Sequence, residues 1–299
     1  MRRAPVAAAA LAAAALAAAV LAFAPAAVAE IRVTDDRGRE IVLARPAARI
    51  VTLAPHLTEI AFAAGAGARV VGVSAYSDFP PEATRLPIVS DHGKVNFEEI
   101  ATLKPDLALM WASGNRAPDF ERLESRGVQV FATEARRPED IARILRLVGR
   151  LAGTEPVAEA AALDLEARFA RLRERYRGRP TVRVFYEIWP EPLMTVNGQH
   201  LISYLVEMCG GRNVFADAVP FTPTISREQV LAADPDAIVV AAPASRAAER
   251  IAFWRSWQRL RAAREGRVYP VDPAAAHRMS PRIIDGGVEL CEALERARK

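Results

Sequence analysis

The residue types that could do chemistry are present in this chain but are thinly spread. Four histidines, His56, His92, His200 and His277, have no close His or Cys neighbour, so neither a fixed zinc or manganese site nor a resident cofactor is expected. No phosphate-cradling Gly-rich loop, dinucleotide fingerprint, nucleophile elbow or HExxH helix occurs. Asp78 and Asp91 sit in loop-like stretches, where isolated carboxylates are ordinarily solvated. With no constellation for catalysis, the expectation is a binding protein, not an enzyme.

Two other acids are placed alike. Glu98 lies two residues after Asn96, and Glu228 two residues after Ser226, each behind a good N-cap. A carboxylate there favours the positive end of a helix by about 0.3–1 kcal/mol, which accounts for either residue taken singly. The matched placement also suits docking on basic groups of a partner, with charge attraction helping encounter. Trp111 ends the apolar run LALMW, where an indole either stacks on a large flat ligand or caps a sheet. The stretch AYSDFPPEA, from Ala75 to Ala83, leaves another apolar run through Tyr76 and Phe79. Pro80 and Pro81 bar a helix through them and predict a stiff, extended exit. The phenol of Tyr76 needs a polar partner or water, which favours the wall of a cleft over a lid on the core.

Residues 1–29 carry Arg2 and Arg3, a long Ala/Leu/Val run and the ending Ala27-Val28-Ala29, the pattern of a cleaved secretory signal peptide, with a retained membrane anchor as the alternative. No cysteine stands at the cleavage point, so the expected mature form is free in the periplasm. Removing the two arginines takes 40 basic residues to 38 against 36 acidic ones, a balance that argues against nucleic acid as a partner. The two cysteines, Cys209 and Cys291, are most simply one disulfide in an exported chain; a catalytic thiol is the poorer reading because no histidine is marked as its base.

The elements that must position these residues follow from periodicity. Glu30 to Leu43 alternates about Asp35-Asp36-Arg37-Gly38 and reads as a hairpin. IVTLA, VVGV, LALMW and VQVFA, and later VRVFYEI, AIVVAA and RVYPV, are short apolar runs separated by helical or loop segments. That alternation predicts an α/β fold of two lobes with mostly parallel sheets. Between the lobes Leu165, Phe169, Leu172 and Tyr176 recur on one helical face, and Gly178 with Pro180 stop the helix. The expected division is an N-terminal lobe at 30–153, one long rigid helix at 154–179 and a C-terminal lobe at 180–299.

The lobes repeat each other. NFEEIATLKPDLALM from Asn96 aligns without gaps on SREQVLAADPDAIVV from Ser226, and HLTEIAFAAGAGARVV from His56 on HLISYLVEMCGGRNVF from His200. Glu98 falls on Glu228, Pro105 on Pro235 and Asp106 on Asp236. AYSDFPPEA lies in the longer of two equivalent loops, opposite AVPFTPT with its Phe221. Ligands of open α/β sheets bind beyond the carboxyl ends of strands, so both loops are expected at a cleft between the lobes.

Taken together, RIVTLAPHLTEIAFAAG, VGVSAYSDFPPEA, LKPDLALMWASGN, SREQVLAADPDAIVV and SPRIIDGGVELCEAL resemble the periplasmic vitamin B12-binding proteins of ABC importers, a group of the helical-backbone metal-chelate receptors. The resemblance runs from about Arg49 to the C-terminus. It implies two Rossmann-like lobes on a rigid helix, small closure motions, and a monomer that delivers a corrinoid to a permease dimer with its ATPase subunits. It also implies that Tyr76 contacts the ligand from one lobe and Ala274, Ala275, Ala276, His277 and Arg278 from the other, with Trp111, Phe221 and His92 as further wall. Glu98 and Glu228 coincide with acids that dock on arginine pockets of the permease, and Cys209 and Cys291 with a disulfide. The departures are the methyl groups of Ala274 to Ala276 where the family has aromatic residues, His92 in place of a tryptophan, and Phe221 for another. Less aromatic surface leaves haem or a ferric siderophore as alternative ligands, and His92 and His277 as candidate ligands for cobalt or iron. A periplasmic enzyme acting on a corrinoid or metal chelate is the alternative of a different class.

Overall fold

A computed structural model describes residues 30–91 and 94–299, so the proposed signal segment and His92 lie outside the described residues. The chain opens with the antiparallel pair β1 (Ile31–Thr34) and β2 (Glu40–Leu43). The first lobe then builds a six-stranded sheet from β3 (Ile50–Thr52), β4 (Val70–Ser74), β5 (Ile88–Asp91), β6 (Lys94–Val95), β7 (Leu107–Trp111) and β8 (Gln129–Thr133). Their order is β6-β5-β4-β3-β7-β8, parallel except for the β5–β6 edge. Helices α1 (Pro55–Ala63), α2 (Phe97–Leu103), α3 (Ala117–Glu124) and α4 (Pro138–Ala152) cover it.

Helix α4 shows why such segments are helices here. Pro138 occupies the first turn, where its missing N–H is not needed, and Ile141, Ile144, Leu145, Val148 and Leu151 form one buried stripe. Gly153, at φ +63°, ends it in the left-handed conformation that glycine adopts without strain. Helix α5 (Glu155–Tyr176) follows at once, burying Ala158, Ala162, Leu165, Phe169, Leu172 and Tyr176. The two helices approach so closely at Gly149 that a Cβ there would fall 2.3 Å from that of Ala158.

The second lobe has a four-stranded, all-parallel sheet, β12-β9-β13-β14, made from β9 (Val182–Glu187), β12 (Gly211–Asn213), β13 (Ala237–Ala241) and β14 (Val268–Val271). A small hairpin, β10 (Trp189–Pro190) with β11 (Leu193–Met194), follows β9. Around this sheet lie α6 (Leu201–Met208), α7 (Arg227–Ala233), α8 (Ala244–Arg255), α9 (Arg261–Arg264), α10 (Pro273–Ala276) and α11 (Ile283–Ala297). Cys209, at the end of α6, is disulfide-bonded to Cys291 in α11. The short strands β5, β6 and β10 to β12 carry too little apolar periodicity to be read from sequence.

The internal repeat is built in matching detail. In both lobes the aligned helix is capped by its predicted residue: Asn96 accepts from the N–H of Glu99 and Ser226 from that of Gln229. Both helices end in a left-handed residue, Lys104 at φ +47° and Asp234 at φ +38°, and a proline follows each. Asp106 then accepts from the N–H groups of Ala48 and Arg49, and Asp236 from that of Arg183. Arg49 returns a bond to the carbonyl of Leu103, as Arg183 does to that of Asp234. Each lobe therefore ties the start of a sheet strand to the end of the same helix.

One hydrophobic cluster runs from the first lobe through the buried face of α5 into the second, taking in Ile60, Leu145, Phe169, Leu205 and Leu290. The far face of each sheet has its own smaller cluster.

Candidate functional site

The carboxyl ends of both sheets carry the candidate residues. Tyr76 follows β4 at φ +64°, uncommon for a bulky residue and costing on the order of 1–3 kcal/mol. Its carbonyl accepts from Arg278 Nη2 at 3.1 Å, and the residue is 63% exposed. The backbone thus holds the ring outward instead of letting it fold onto the core. The expected extended exit is shorter than predicted: a 3₁₀ turn begins at Pro81 and ends at Arg85, with Pro81 tolerated in its first turn.

Trp111 is held on three sides. Its Nε1–H donates to Glu134 Oε1 at 3.2 Å, its ring lies edge-on to His56 with centroids 5.2 Å apart, and its indole covers Gly114, where a Cβ would fall 1.9 Å from the ring. In the other lobe Phe221 lies against His200, ring centroids 4.6 Å apart and planes tilted by 41°. Ala275 and Ala276 are only 6% and 4% exposed, and Gly286 of α11 leaves the room that brings the α10 backbone close. Of the five residues expected to face ligand from this loop, Ala274, His277 and Arg278 remain partly accessible.

The strongest contacts across the lobes went unrecognised in the sequence. Glu59, in α1 and only 3% exposed, accepts from Arg278 Nη1 at 2.8 Å, from Arg282 Nη1 at 3.3 Å and from the Ser280 hydroxyl. Arg278 also bonds the carboxylate of Asp78, whose proton affinity this hydrogen bond lowers. The Arg282 guanidinium lies 4.3 Å above the centre of the Phe79 ring. Asp78 is therefore not merely solvated, and Arg278 is committed to the opposite lobe. The signal for Glu59 was the one acid in the HLTEIAF helix, whose repeat partner is Ser203.

Three histidines belong to this region and are kept neutral. Burial pushes His56, His200 and His277 down to about 4, with nearby Arg278 adding to the effect at His56 and His277 adding to it at His200. At His277 the Asp272 carboxylate opposes burial. His277 Nε2 lies 3.1 Å from the Tyr186 hydroxyl, so one of its two ring nitrogens is engaged within the protein. No group of three or more metal-ligand side chains occurs among the described residues. Because these pKa values lie below the unfolded value near 6.5, the unfolded chain binds more protons between pH 6.5 and 4. Stability is then full above pH 6.5 and declines as pH falls toward 4. Urea unfolding at pH 5 is expected to give a stability more than about 1 kcal/mol below that at pH 7, and equal midpoints would contradict this assignment.

Glu98 and Glu228 are both exposed, on the first turns of α2 and α7. The backbone N–H of Glu228 and the Ser226 hydroxyl hold its carboxyl below the usual range.

Comparison with known proteins places this architecture. The family model described as periplasmic binding protein matches residues 50–275. A vitamin B12-binding protein of Vibrio cholerae serotype O1 is 36% identical over 256 residues, 85% of this chain and 91% of that one. That of Salmonella typhimurium is 38% identical over 248 residues, 83% and 90% of the two chains. The crystal structure of the periplasmic vitamin B12 binding protein of Vibrio cholerae superposes with a TM-score of 0.79 at 35% identity, covering 85% of this chain and 99% of that one. Two lobes with mostly parallel sheets on one shared helix, with a family match across both, make the chain a member of the periplasmic binding protein family.

Proposed function

We propose that this chain is a periplasmic receptor that captures a corrinoid, vitamin B12, between its lobes and delivers it to an ABC permease. The observation that carries the reading is the similarity to vitamin B12-binding proteins over most of both chains. It is supported by aromatic residues at the strand ends of both lobes, Tyr76 and Trp111 on one side and Phe221 on the other. The relatives are binding proteins, and the corrinoid is cargo here, not a cofactor. Export removes residues 1–29 in this reading, so the mature chain starts at Glu30.

The test is calorimetric titration of that mature chain with cyanocobalamin, haemin and a ferric siderophore. Heat with cyanocobalamin alone is the expected result; heat with haemin alone would replace corrinoid by haem. Tyr76→Ala is expected to weaken cobalamin binding about tenfold, the loss of one aromatic face of about 1.4 kcal/mol. An unchanged affinity would remove Tyr76 from the contact surface.

Delivery assigns Glu98 and Glu228 to basic sites on the permease. Glu98→Ala combined with Glu228→Ala is expected to abolish association with a permease in proteoliposomes, measured by pull-down, while leaving ligand affinity within about twofold. Equal loss of both properties would show that the acids serve the fold or the ligand site instead.

A further inference from the structure

Next to the Phe221 wall lies a second cavity, about 410 Å³, that takes residues from both lobes. Arg136 and Arg137 enter it from the β8–α4 loop of the first lobe, and Gln199, His200, Tyr204 and Glu207 from the start and flank of α6 in the second. His200 belongs to both places, since its other contact is the Phe221 ring. His200 is thus the residue that connects this interlobe cavity to the Phe221 wall.

Its chemistry differs from that of the aromatic wall. The backbone N–H groups of Arg136 and Arg137 both donate to Asp140 Oδ2, at 2.9 and 3.0 Å, so the loop is pinned by its main chain. Neither guanidinium has a carboxylate partner among the described residues. Nearby arginines are committed: Arg143 to Asp36, Arg146 to Glu159 and Glu166, and Arg173 to Glu139. His200 Nδ1 accepts from the N–H of Ile202 at 3.1 Å, so the neutral ring carries its proton on Nε2 as a donor. Glu207 is the one acid lining the cavity. Two guanidinium groups without a carboxylate partner, beside a neutral imidazole and one carboxylate, give this recess a net positive lining, and Arg136 also borders the neighbouring cavity lined by Asp36, Glu134 and Asp140.

We infer that Arg136 and Arg137 determine specificity for corrinoids that carry the nucleotide loop, by receiving its phosphodiester anion. This rests on the corrinoid reading of the main cleft and names which corrinoids it prefers. Guanidinium forks match the two free oxygens of a phosphodiester, and Arg136 and Arg137, both exposed, can be reached by one without burying a charge. A corrinoid lacking the loop, such as cobinamide, presents the same ring to Tyr76 and Trp111 but nothing anionic to this recess.

The experiment is titration of the wild-type mature chain and of an Arg136→Ala, Arg137→Ala double variant with cyanocobalamin and with cobinamide, with melting temperature as the fold control. The expected result is a tenfold or greater loss of cyanocobalamin affinity in the double variant, with cobinamide affinity within twofold of wild type. An Arg136→Lys, Arg137→Lys variant is expected to recover part of the loss, because charge is kept while the fork is not. No change with either ligand, or equal loss with both, overturns the inference and leaves the corrinoid reading standing. A wild-type chain that binds neither ligand overturns both.

Discussion

Glu59→Ala is expected to lower unfolding stability by about 3–5 kcal/mol, the scale observed when one partner of a buried ion pair is removed. Glu59 accepts from three groups of the opposite lobe, and its loss strands donors that have little access to water. Of its two carboxylate partners Arg278 would keep only Asp78, which is largely exposed and therefore the weaker one. For a chain of this size the shift corresponds to a melting temperature lower by on the order of 10 °C. Glu59→Gln should fall between the two, since an amide still accepts from Ser280 but carries no charge toward the arginines. Scanning calorimetry decides the matter: a Glu59→Ala chain melting within about 2 °C of wild type would mean that solvent replaces the network at no cost. Because Arg278 also holds the Tyr76 carbonyl, the same variant should weaken ligand binding without touching a ligand atom.

The second large effect concerns Cys209 and Cys291. Their bond closes a separation of 82 residues and ties α6 to α11, both of which pack on α5. Constraining a loop of that length in the unfolded chain is worth about 4 kcal/mol on the entropy model, and removal of native disulfides typically costs about 2–5 kcal/mol. Both side chains are fully buried, so a Cys209→Ala, Cys291→Ala variant adds a small packing loss to the lost constraint. Chemical unfolding of this variant beside the oxidised wild type should show the deficit, and reduced wild type should approach the variant. Coincident curves for all three would refute a stabilising role.

Much of the frame was legible because it rests on local rules. Asn96 and Ser226 announce helix starts by residue type, and the gapless alignment of the segments behind them matches two helices that the structure closes alike, with left-handed Lys104 and Asp234. The helix later seen as α5 was readable from the spacing of Leu165, Phe169, Leu172 and Tyr176, all buried in the structure. The cross-lobe network was not, because Glu59 and Arg278 are 219 positions apart and periodicity reports burial, not the partner. Burial of Ala275 and Ala276 was also hidden: a small side chain facing a ligand and one facing the close approach of α11 at Gly286 look alike in sequence. Arg136 and Arg137 were invisible as a pair with a purpose, since surface arginines are common and only the cavity sets these two apart.

The cluster that passes through α5 without a break has a kinetic consequence. Swinging one lobe away from the other would uncover part of that layer, and each 100 Å² of apolar surface exposed costs about 2.5 kcal/mol. A state opened by that amount would be populated at roughly 1–2%. With so little open form to draw on, ligand must enter a gap that already exists, so the rate of capture should rise in proportion to ligand concentration with no plateau set by a gating step. Speed of uptake at the scarce concentrations where a receptor matters would then be governed by diffusion and by the charge around the entrance.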